Sequence, residues 1–158
     1  MPAPRDLGIV GLVAGIVVLL DQVTKAWIVS MLVPLEPPRI DILGSWLSME
    51  YTENRGVAFG LLGGVGPLVV VAPLLVVFIM AALYLKSAVP PIWQSAGVGL
   101  LAGGAIGNLA DRLRLGYVFD FISVGRWPNF NVADSAITVG ALILITGWIV
   151  IDGARANG

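Results

Sequence analysis

The chain has 158 residues, of which 58% are hydrophobic and only 12% are charged, and its formal net charge is −1. Soluble domains carry about twice that share of charged residues, so the composition favours a membrane protein and excludes nucleic-acid binding through bulk charge. Because the chain contains neither cysteine nor histidine, it cannot form disulfides, zinc sites built on those residues, or catalytic triads that need histidine. Acid–base chemistry must therefore come from carboxylates, lysines, tyrosines or the termini.

Four apolar stretches approach the roughly 20 residues that a helix needs to cross a bilayer. They cover residues 7–28, 67–85, 92–109 and 132–151. The sequence therefore predicts an all-α membrane protein with four transmembrane helices, organised as a single domain over residues 1–158. The first stretch lacks a small-residue cleavage site, so we expect an uncleaved helix rather than a signal peptide.

Glycines recur at four-residue intervals in two of these stretches. The third stretch holds Gly99, Gly103 and Gly107, and the first holds a weaker version in Gly11 and Gly15. Small residues at this spacing let a second helix approach closely. We expect both patterns to serve helix packing rather than chemistry.

Two long polar segments, residues 31–66 and 110–131, separate the predicted spans. In the sequence LSMEYT, which begins at Leu47, apolar residues alternate with polar ones, and this alternation predicts a short strand. With an even number of spans, both long segments lie on one side of the membrane and both termini on the other. The long segments contain most of the Lys and Arg residues, which by the positive-inside rule alone would place them in the cytoplasm.

Asp134 lies three residues after Asn131, immediately before the fourth apolar stretch. Asn131 is a favourable N-cap, and Asp134 at the third helical position would complete a capping box and meet the positive end of the helix dipole. A purely capping role and a chemical role are about equally supported by this position alone.

Asp120 lies in the sequence YVFDFISV, a run of aromatic and β-branched residues. A carboxylate in such surroundings is poorly solvated, which raises its pKa. Together, Asp120 and Asp134 offer two carboxylates in different environments, as an aspartic protease needs for a base and an acid acting on one water. The alternative for Asp120 is an ordinary acid in a surface loop.

Further polar residues lie close to the apolar stretches. Asp21 and Lys25 are four residues apart in the favourable order for a helical ion pair, so a structural salt bridge is the better interpretation. Asn108, Asp111 and Arg112 share one face at the end of the third stretch. Arg112 could pair with Asp111 or bind a substrate carbonyl, and Asn108 could hydrogen-bond a backbone.

Four sequence blocks, in order along nearly the whole chain, resemble the lipoprotein signal peptidase (signal peptidase II) family of bacterial membrane aspartic endopeptidases. The blocks are DQVTK, TENRGVAFG, GGAIGNLADRLRLGYVFDFI and FNVADSAI. The resemblance implies that Asp120 and Asp134 are the catalytic pair. It further implies residues that line or support the site: Asn54, Asn108, Arg112, Asn131, Asp21, Lys25 and Asp111. The stretch between Asp120 and Asn131 is shorter than in many members.

The resemblance also implies the substrate and the setting. The substrate would be a prolipoprotein whose cysteine already carries diacylglycerol, cut before that cysteine without a cofactor or metal. The enzyme would lie among the lipids of the bacterial cytoplasmic membrane, and we expect a monomer because one copy contains every residue that the mechanism needs. Both termini would be cytoplasmic, and a small extracytoplasmic β-sheet and a loop would cover an outward-facing site, which overrules the Lys and Arg count.

Two other functional classes compete with this interpretation. A proton-coupled transporter would spread its acids along a path through the bilayer, whereas the acids here lie towards one face. A scaffold protein would need only the glycine patterns and would leave the polar cluster unexplained.

Overall fold

The computed structural model of the protein describes residues 4–56 and 92–156, together with four positions between them. Its elements are α1 (Pro4–Leu32), β1 (Arg39–Leu43), β2 (Leu47–Asn54), α2 (Ile92–Leu115), β3 (Val118–Val124) and α3 (Val132–Ala156). The predicted span over residues 67–85 lies outside the described residues, apart from the helical positions Leu75, Phe78, Ile79 and Ala82. The other three predicted spans coincide with α1, α2 and α3.

The first helix is long and apolar. Its section Leu7–Leu32 is long and apolar enough to cross a membrane, and Val132–Gly147 in α3 is a shorter apolar helix. Large side chains such as Leu12, Leu19 and Trp27 are exposed along α1. A helix that presents such side chains to its surroundings suits contact with lipid.

Helix α2 packs between α1 and α3, and its glycines make the close approach possible. A Cβ atom added at Gly103 would lie 2.7 Å from the Cβ atom of Val17 and 2.8 Å from the carbonyl oxygen of Ala14. Gly99 meets α1 in the same way, so the predicted packing role of this stripe is confirmed. The weaker pattern in α1 makes no such close contact with another described helix. No described atom lies within 4 Å of a Cβ atom added at Gly11 or Gly15.

This difference predicts opposite outcomes for two glycine-to-alanine substitutions. Gly103→Ala should lower the free energy of unfolding by about 1–3 kcal/mol, because the new methyl group forces α1 and α2 apart. Gly15→Ala is the matched control and should be neutral or stabilising by up to about 1 kcal/mol, since alanine favours the helix. Denaturant unfolding in detergent measures both, and equal effects would contradict the packing described here.

The three strands form one antiparallel sheet in the order β1–β2–β3. The predicted strand at Leu47 is confirmed and runs on to Asn54 as β2. The sheet rests on the end of α1, where Ile28 and Leu32 pack with Phe119 and Phe121 of β3 in one buried cluster. This apolar contact fixes β3 against the helices and so fixes the position of Asp120.

The shortened stretch after Asp120 folds back along β3. Gly125 follows the strand with a φ of 55°, a conformation that glycine adopts without strain. Phe130 then pairs with Ile122, with backbone hydrogen bonds of 2.8 and 3.1 Å in the two directions. The return brings Asn131 beside Asp120 just before α3 begins.

Candidate active site

Four elements bring the predicted site residues together. Asp120 lies on β3, Asn54 ends β2, and Asn108 and Arg112 lie one turn apart on α2. The predicted N-cap and Asp134 open α3. The antiparallel register places Thr52 of β2 opposite Asp120, so Asn54 lies two residues further along the neighbouring strand.

The Asp120 carboxylate is buried, with 1% of the residue exposed, and two amides satisfy its oxygens. The Asn131 Nδ2 atom donates to Oδ1 over 2.7 Å, and the Asn54 Nδ2 atom donates to Oδ2 over 2.8 Å. Asp120 is therefore not the acid of a surface loop. Its orientation is set by one residue from β2 and one from the start of α3.

Asp134 closes the predicted capping box and also reaches α2. Its backbone N–H donates to the Asn131 Oδ1 atom over 2.9 Å, while its Oδ2 atom accepts the Asn131 backbone N–H over 3.2 Å. The other carboxylate oxygen accepts a 2.7 Å hydrogen bond from the Asn108 Nδ2 atom. The capping box is confirmed, and the carboxylate is held at the same time by a side chain of another helix.

Asn131 joins the two carboxylates. It is completely buried, its side-chain amide donates to Asp120, and its backbone N–H donates to Asp134. The same amide also donates to the Asn108 Oδ1 atom over 3.1 Å. Two carboxylates held this way can act as base and acid on one water. No group of three or more acids close enough to hold a metal ion occurs in the described residues.

Burial sets the acidity of Asp120. Desolvation raises its pKa to about 6, and the nearby charge of Asp134 acts in the same direction, whereas the hydrogen bonds from Asn54 and Asn131 oppose the rise. The ordinary pKa of an aspartate, which serves as the value for the unfolded chain, is 3.8. As the pH rises from about 4 to about 6, the unfolded chain releases this proton before the folded protein does. Burial of Asp120 therefore lowers the free energy of unfolding, and this loss increases as the pH rises through this window.

Asn54 and Asp134 act on the pKa of Asp120 in opposite directions, so substituting them should shift this pKa in opposite directions. Asn54→Leu removes a hydrogen bond that favours the charged carboxylate, so the pKa of Asp120 should rise above about 6. Asp134→Asn removes a neighbouring negative charge, so the pKa of Asp120 should fall. Titration of the ¹³C-labelled aspartate carboxyl signals measures both variants, and shifts of the same sign would contradict the geometry.

Lys25 is the centre of a second, buried polar cluster. The predicted salt bridge to Asp21 is confirmed with an Nζ–Oδ2 distance of 2.9 Å. The same ammonium lies 2.8 Å from the Asp111 carboxylate and donates to the Asn108 Oδ1 atom over 3.2 Å. Asn108 thus connects this cluster to Asp134.

The structure excludes one of the two roles considered for Arg112. Its guanidinium forms no ion pair in the described part of the chain and donates to the backbone oxygen of Asn108 over 3.4 Å. Pairing with Asp111 is therefore wrong, because Lys25 holds that carboxylate instead. The positive charge of Arg112 is half-buried and acts on Asp134 and Asp120, which leaves it available to a bound ligand.

Sequence reasoning missed Gln22 as a member of the buried cluster. Its side-chain amide donates to Asp21 over 3.1 Å, to Asp111 over 3.0 Å and to the carbonyl oxygen of Gly107 over 3.3 Å. Its carbonyl oxygen accepts a hydrogen bond from Arg114. The available signal was a third polar residue interrupting the first apolar stretch between Asp21 and Lys25.

Sequence reasoning also missed Asn129, which ties the short return loop to the sheet. Its Nδ2 atom donates to the Thr52 Oγ1 atom over 2.7 Å and to the Glu50 Oε2 atom over 3.2 Å. Thr52 faces Asp120 across the sheet, so this contact holds the loop close to the site. The only hint was that the sequence NFN has another asparagine, Asn129, two residues before Asn131, since the partners of Asn129 lie more than 70 residues earlier.

Comparison with known proteins identifies the family. Residues 13–150 match the family model described as Signal peptidase (SPase) II. The chain is 40% identical to the Lipoprotein signal peptidase of Syntrophomonas wolfei over 89% of this chain and 91% of the relative. It is 39% identical to the Lipoprotein signal peptidase of Moorella thermoacetica, over 93% of this chain and 95% of that relative.

A solved structure shares the fold. It is a bacterial membrane enzyme determined by the in meso method at 1.9 Å resolution, with 29% sequence identity and a TM-score of 0.77 over 90% of this chain and 93% of that one. The coarse prediction of a membrane enzyme with helices and a small antiparallel sheet is thereby confirmed. The same matches support the predicted class of aspartic-type peptidase. The resemblance indicated by the sequence motifs is therefore correct, and the chain belongs to the signal peptidase II family.

Proposed function

We propose that this protein is an aspartic endopeptidase that removes the signal peptide from diacylglyceryl-modified prolipoproteins by cutting before the lipidated cysteine. One observation carries the proposal: Asn131 hydrogen-bonds both Asp120 and Asp134, so two carboxylates from different elements meet at one point. Both aspartates lie within the region that matches the signal peptidase II family. The pair, rather than any other group in the described residues, is the candidate for activating water.

The proposed reaction is hydrolysis by a water held between the two carboxyl groups. The water oxygen attacks the carbonyl carbon of the scissile bond while one carboxylate takes a proton from that water. The other carboxyl group, in its protonated form, donates to the carbonyl oxygen. When the C–N bond breaks, the amine of the lipidated cysteine takes a proton from the pair. Because a close pair titrates as a unit, neither aspartate is given a fixed role.

The supporting residues divide into two groups. The first group orients the pair, because its side-chain amides donate hydrogen bonds to the two carboxylates. It consists of Asn54, Asn108 and Asn131. Arg112 is the candidate to bind a carbonyl oxygen of the substrate, because its half-buried guanidinium has no ion-pair partner in the described part of the chain. No cofactor takes part in the proposed reaction.

The proposed setting is a four-span protein of the bacterial cytoplasmic membrane, with cytoplasmic termini and the site facing outward. The apolar α1 and its exposed leucines support insertion into lipid. One chain of residues 1–158 supplies every residue of the mechanism, so we propose a monomeric single domain. Protease accessibility of terminal tags in spheroplasts tests the orientation, and an externally cleaved C-terminal tag would contradict it.

The function is tested with a purified prolipoprotein that carries diacylglycerol on its cysteine. Incubation with the purified protein in detergent should shorten the precursor on a gel, and mass spectrometry should find the lipidated cysteine at the new N-terminus. The matched control is the same precursor without the lipid. An intact lipidated precursor would contradict the proposal and leave the transporter and the scaffold, neither of which shortens a polypeptide.

A further inference from the structure

We infer that Lys25, Asp21 and Asp111 form a clamp that positions both aspartates of the pair through the backbone. Each acid of the clamp accepts the N–H of the residue immediately before one aspartate of the pair. In the described residues, none of the three side chains hydrogen-bonds the carboxyl group of Asp120 or Asp134. The catalytic consequence of the clamp rests on the proposed function, whereas its structural consequence does not.

The first arm of the clamp holds β3. The Asp111 Oδ2 atom accepts the backbone N–H of Phe119 over 3.3 Å, and Phe119 precedes Asp120. β3 is an edge strand of the sheet, and the backbone of Phe130 that pairs beyond it does so at Ile122, three residues after Phe119. A buried edge N–H needs an acceptor, and the carboxylate from α2 provides it.

The second arm holds the start of α3. The Asp21 Oδ1 atom accepts the backbone N–H of Ala133 over 3.0 Å, and Ala133 precedes Asp134. The first N–H groups of a helix have no partner within the helix. A carboxylate from α1 therefore completes the cap that Asn131 begins and fixes the first turn of α3 against α1.

Lys25 links the two arms and also acts on Asp134 through the side chain of Asn108. An ammonium group has three N–H donors, and its three acceptors here are Asp21, Asp111 and the Oδ1 atom of Asn108. The last contact fixes the Asn108 amide so that its Nδ2 atom faces Asp134. All three clamp residues are at most 5% exposed, so water cannot replace these contacts.

The two arms differ in a way that makes the clamp testable. At Asp111 a single oxygen, Oδ2, accepts from both Lys25 and Phe119. At Asp21 two different oxygens make these contacts: Oδ2 accepts from Lys25, and Oδ1 accepts from the backbone N–H of Ala133. An asparagine has only one acceptor oxygen. Asp111→Asn can therefore keep both clamp contacts and loses only the hydrogen bond that the other oxygen accepts from Gln22. Asp21→Asn must lose a clamp contact, although both substitutions remove the same charge.

The clamp predicts unequal kinetics for these matched variants on the lipidated precursor. Asp21→Asn should lower kcat about 10²-fold, the scale of effect that misplacing a reacting group produces, with KM nearly unchanged because no clamp residue is proposed to touch substrate. Asp111→Asn keeps both clamp acceptors, so its loss of kcat should be at least about tenfold smaller than that of Asp21→Asn. Asp111→Leu removes the acceptor altogether and should match Asp21→Asn. A role limited to balancing the charge of Lys25 predicts equal losses for all three.

A second measurement separates the clamp from the proposed function. Amide hydrogen exchange of the folded protein without substrate should speed up at Ala133 in Asp21→Asn and at Phe119 in Asp111→Leu, and at neither position in Asp111→Asn. If Asp21→Asn does not fold, the two Asp111 variants carry the same comparison. Equal kcat losses, or unchanged exchange in all variants, overturn the clamp. An uncut precursor with the expected exchange pattern overturns the proposed function alone.

Discussion

Asp120→Asn and Asp134→Asn should each slow cleavage of the lipidated precursor by about 10⁴-fold, the upper range for loss of a general acid or base. An amide keeps the size of the carboxyl group but can neither take a proton from water nor return one. The single amide oxygen of each variant can still accept the hydrogen bond from Asn131 or Asn108, and the contact to the second oxygen is lost. The size of the side chain is unchanged, so both variants should fold. Single-turnover cleavage with excess enzyme measures the chemical step without product release.

Asp41→Asn provides the control for these two variants. Its side chain is 56% exposed on β1, where it pairs with Arg39 away from the site. The substitution removes one carboxylate with the same change of size and charge, and cleavage should stay within about twofold of wild type. Near-normal turnover by Asp120→Asn or Asp134→Asn would show that the pair is not catalytic.

Lys25→Met should have the largest effect on stability. The ammonium is buried between two carboxylates at 2.8 and 2.9 Å, and its removal leaves negative charge without a partner. Breaking a buried ion pair in this way costs about 3–5 kcal/mol. Denaturant unfolding in detergent should show this loss, and cleavage should fall with it because Asn108 loses the contact that orients its amide.

Two comparisons identify the cause of that loss. Adding Asp21→Asn to Lys25→Met removes one of the uncompensated charges and should recover part of the stability. Arg55→Met breaks the exposed ion pair with Glu53 and should leave the unfolding midpoint at the wild-type value. If Arg55→Met were as destabilising as Lys25→Met, burial of the ion pair would not explain the effect.

Local patterns in the sequence predicted the parts of the site that depend on neighbouring residues. The capping box of Asn131 and Asp134 needs only a three-residue spacing, and the Asp21–Lys25 pair needs only one helical turn. The strand at Leu47 follows from alternation alone. Each of these features is stabilised by contacts within a few residues, so its signal is visible along the chain.

Contacts between distant segments could not be predicted in this way. Asp111 was a candidate partner for Arg112 beside it, yet it binds Lys25, which lies 86 positions earlier. In the buried cluster, Lys25 pairs with both Asp21 and Asp111, so all three charges have partners. If Asp111 paired with Arg112 instead, Lys25 would lose its second carboxylate. The choice is made by tertiary packing of α1 on α2, which no local spacing encodes.

The strands on either side of β2 were also not located from the sequence. The apolar run around Asp120 forms β3, but its nearly continuous hydrophobicity is equally typical of a buried helix segment. Its identity depends on pairing with β2 and on packing over Ile28 and Leu32. The family resemblance implied a small sheet, and only the folded structure shows that this sheet carries Asp120.

In the proposed mechanism, Asp120 and Asp134 act together on one tetrahedral centre. The test is a crystal structure with a bound lipopeptide inhibitor in which a hydroxyl-bearing tetrahedral carbon replaces the scissile carbonyl. This hydroxyl should lie about 2.6–3.2 Å from a carboxyl oxygen of each aspartate. A hydroxyl that contacts only one of the two carboxyl groups, or neither, would contradict the catalytic pair.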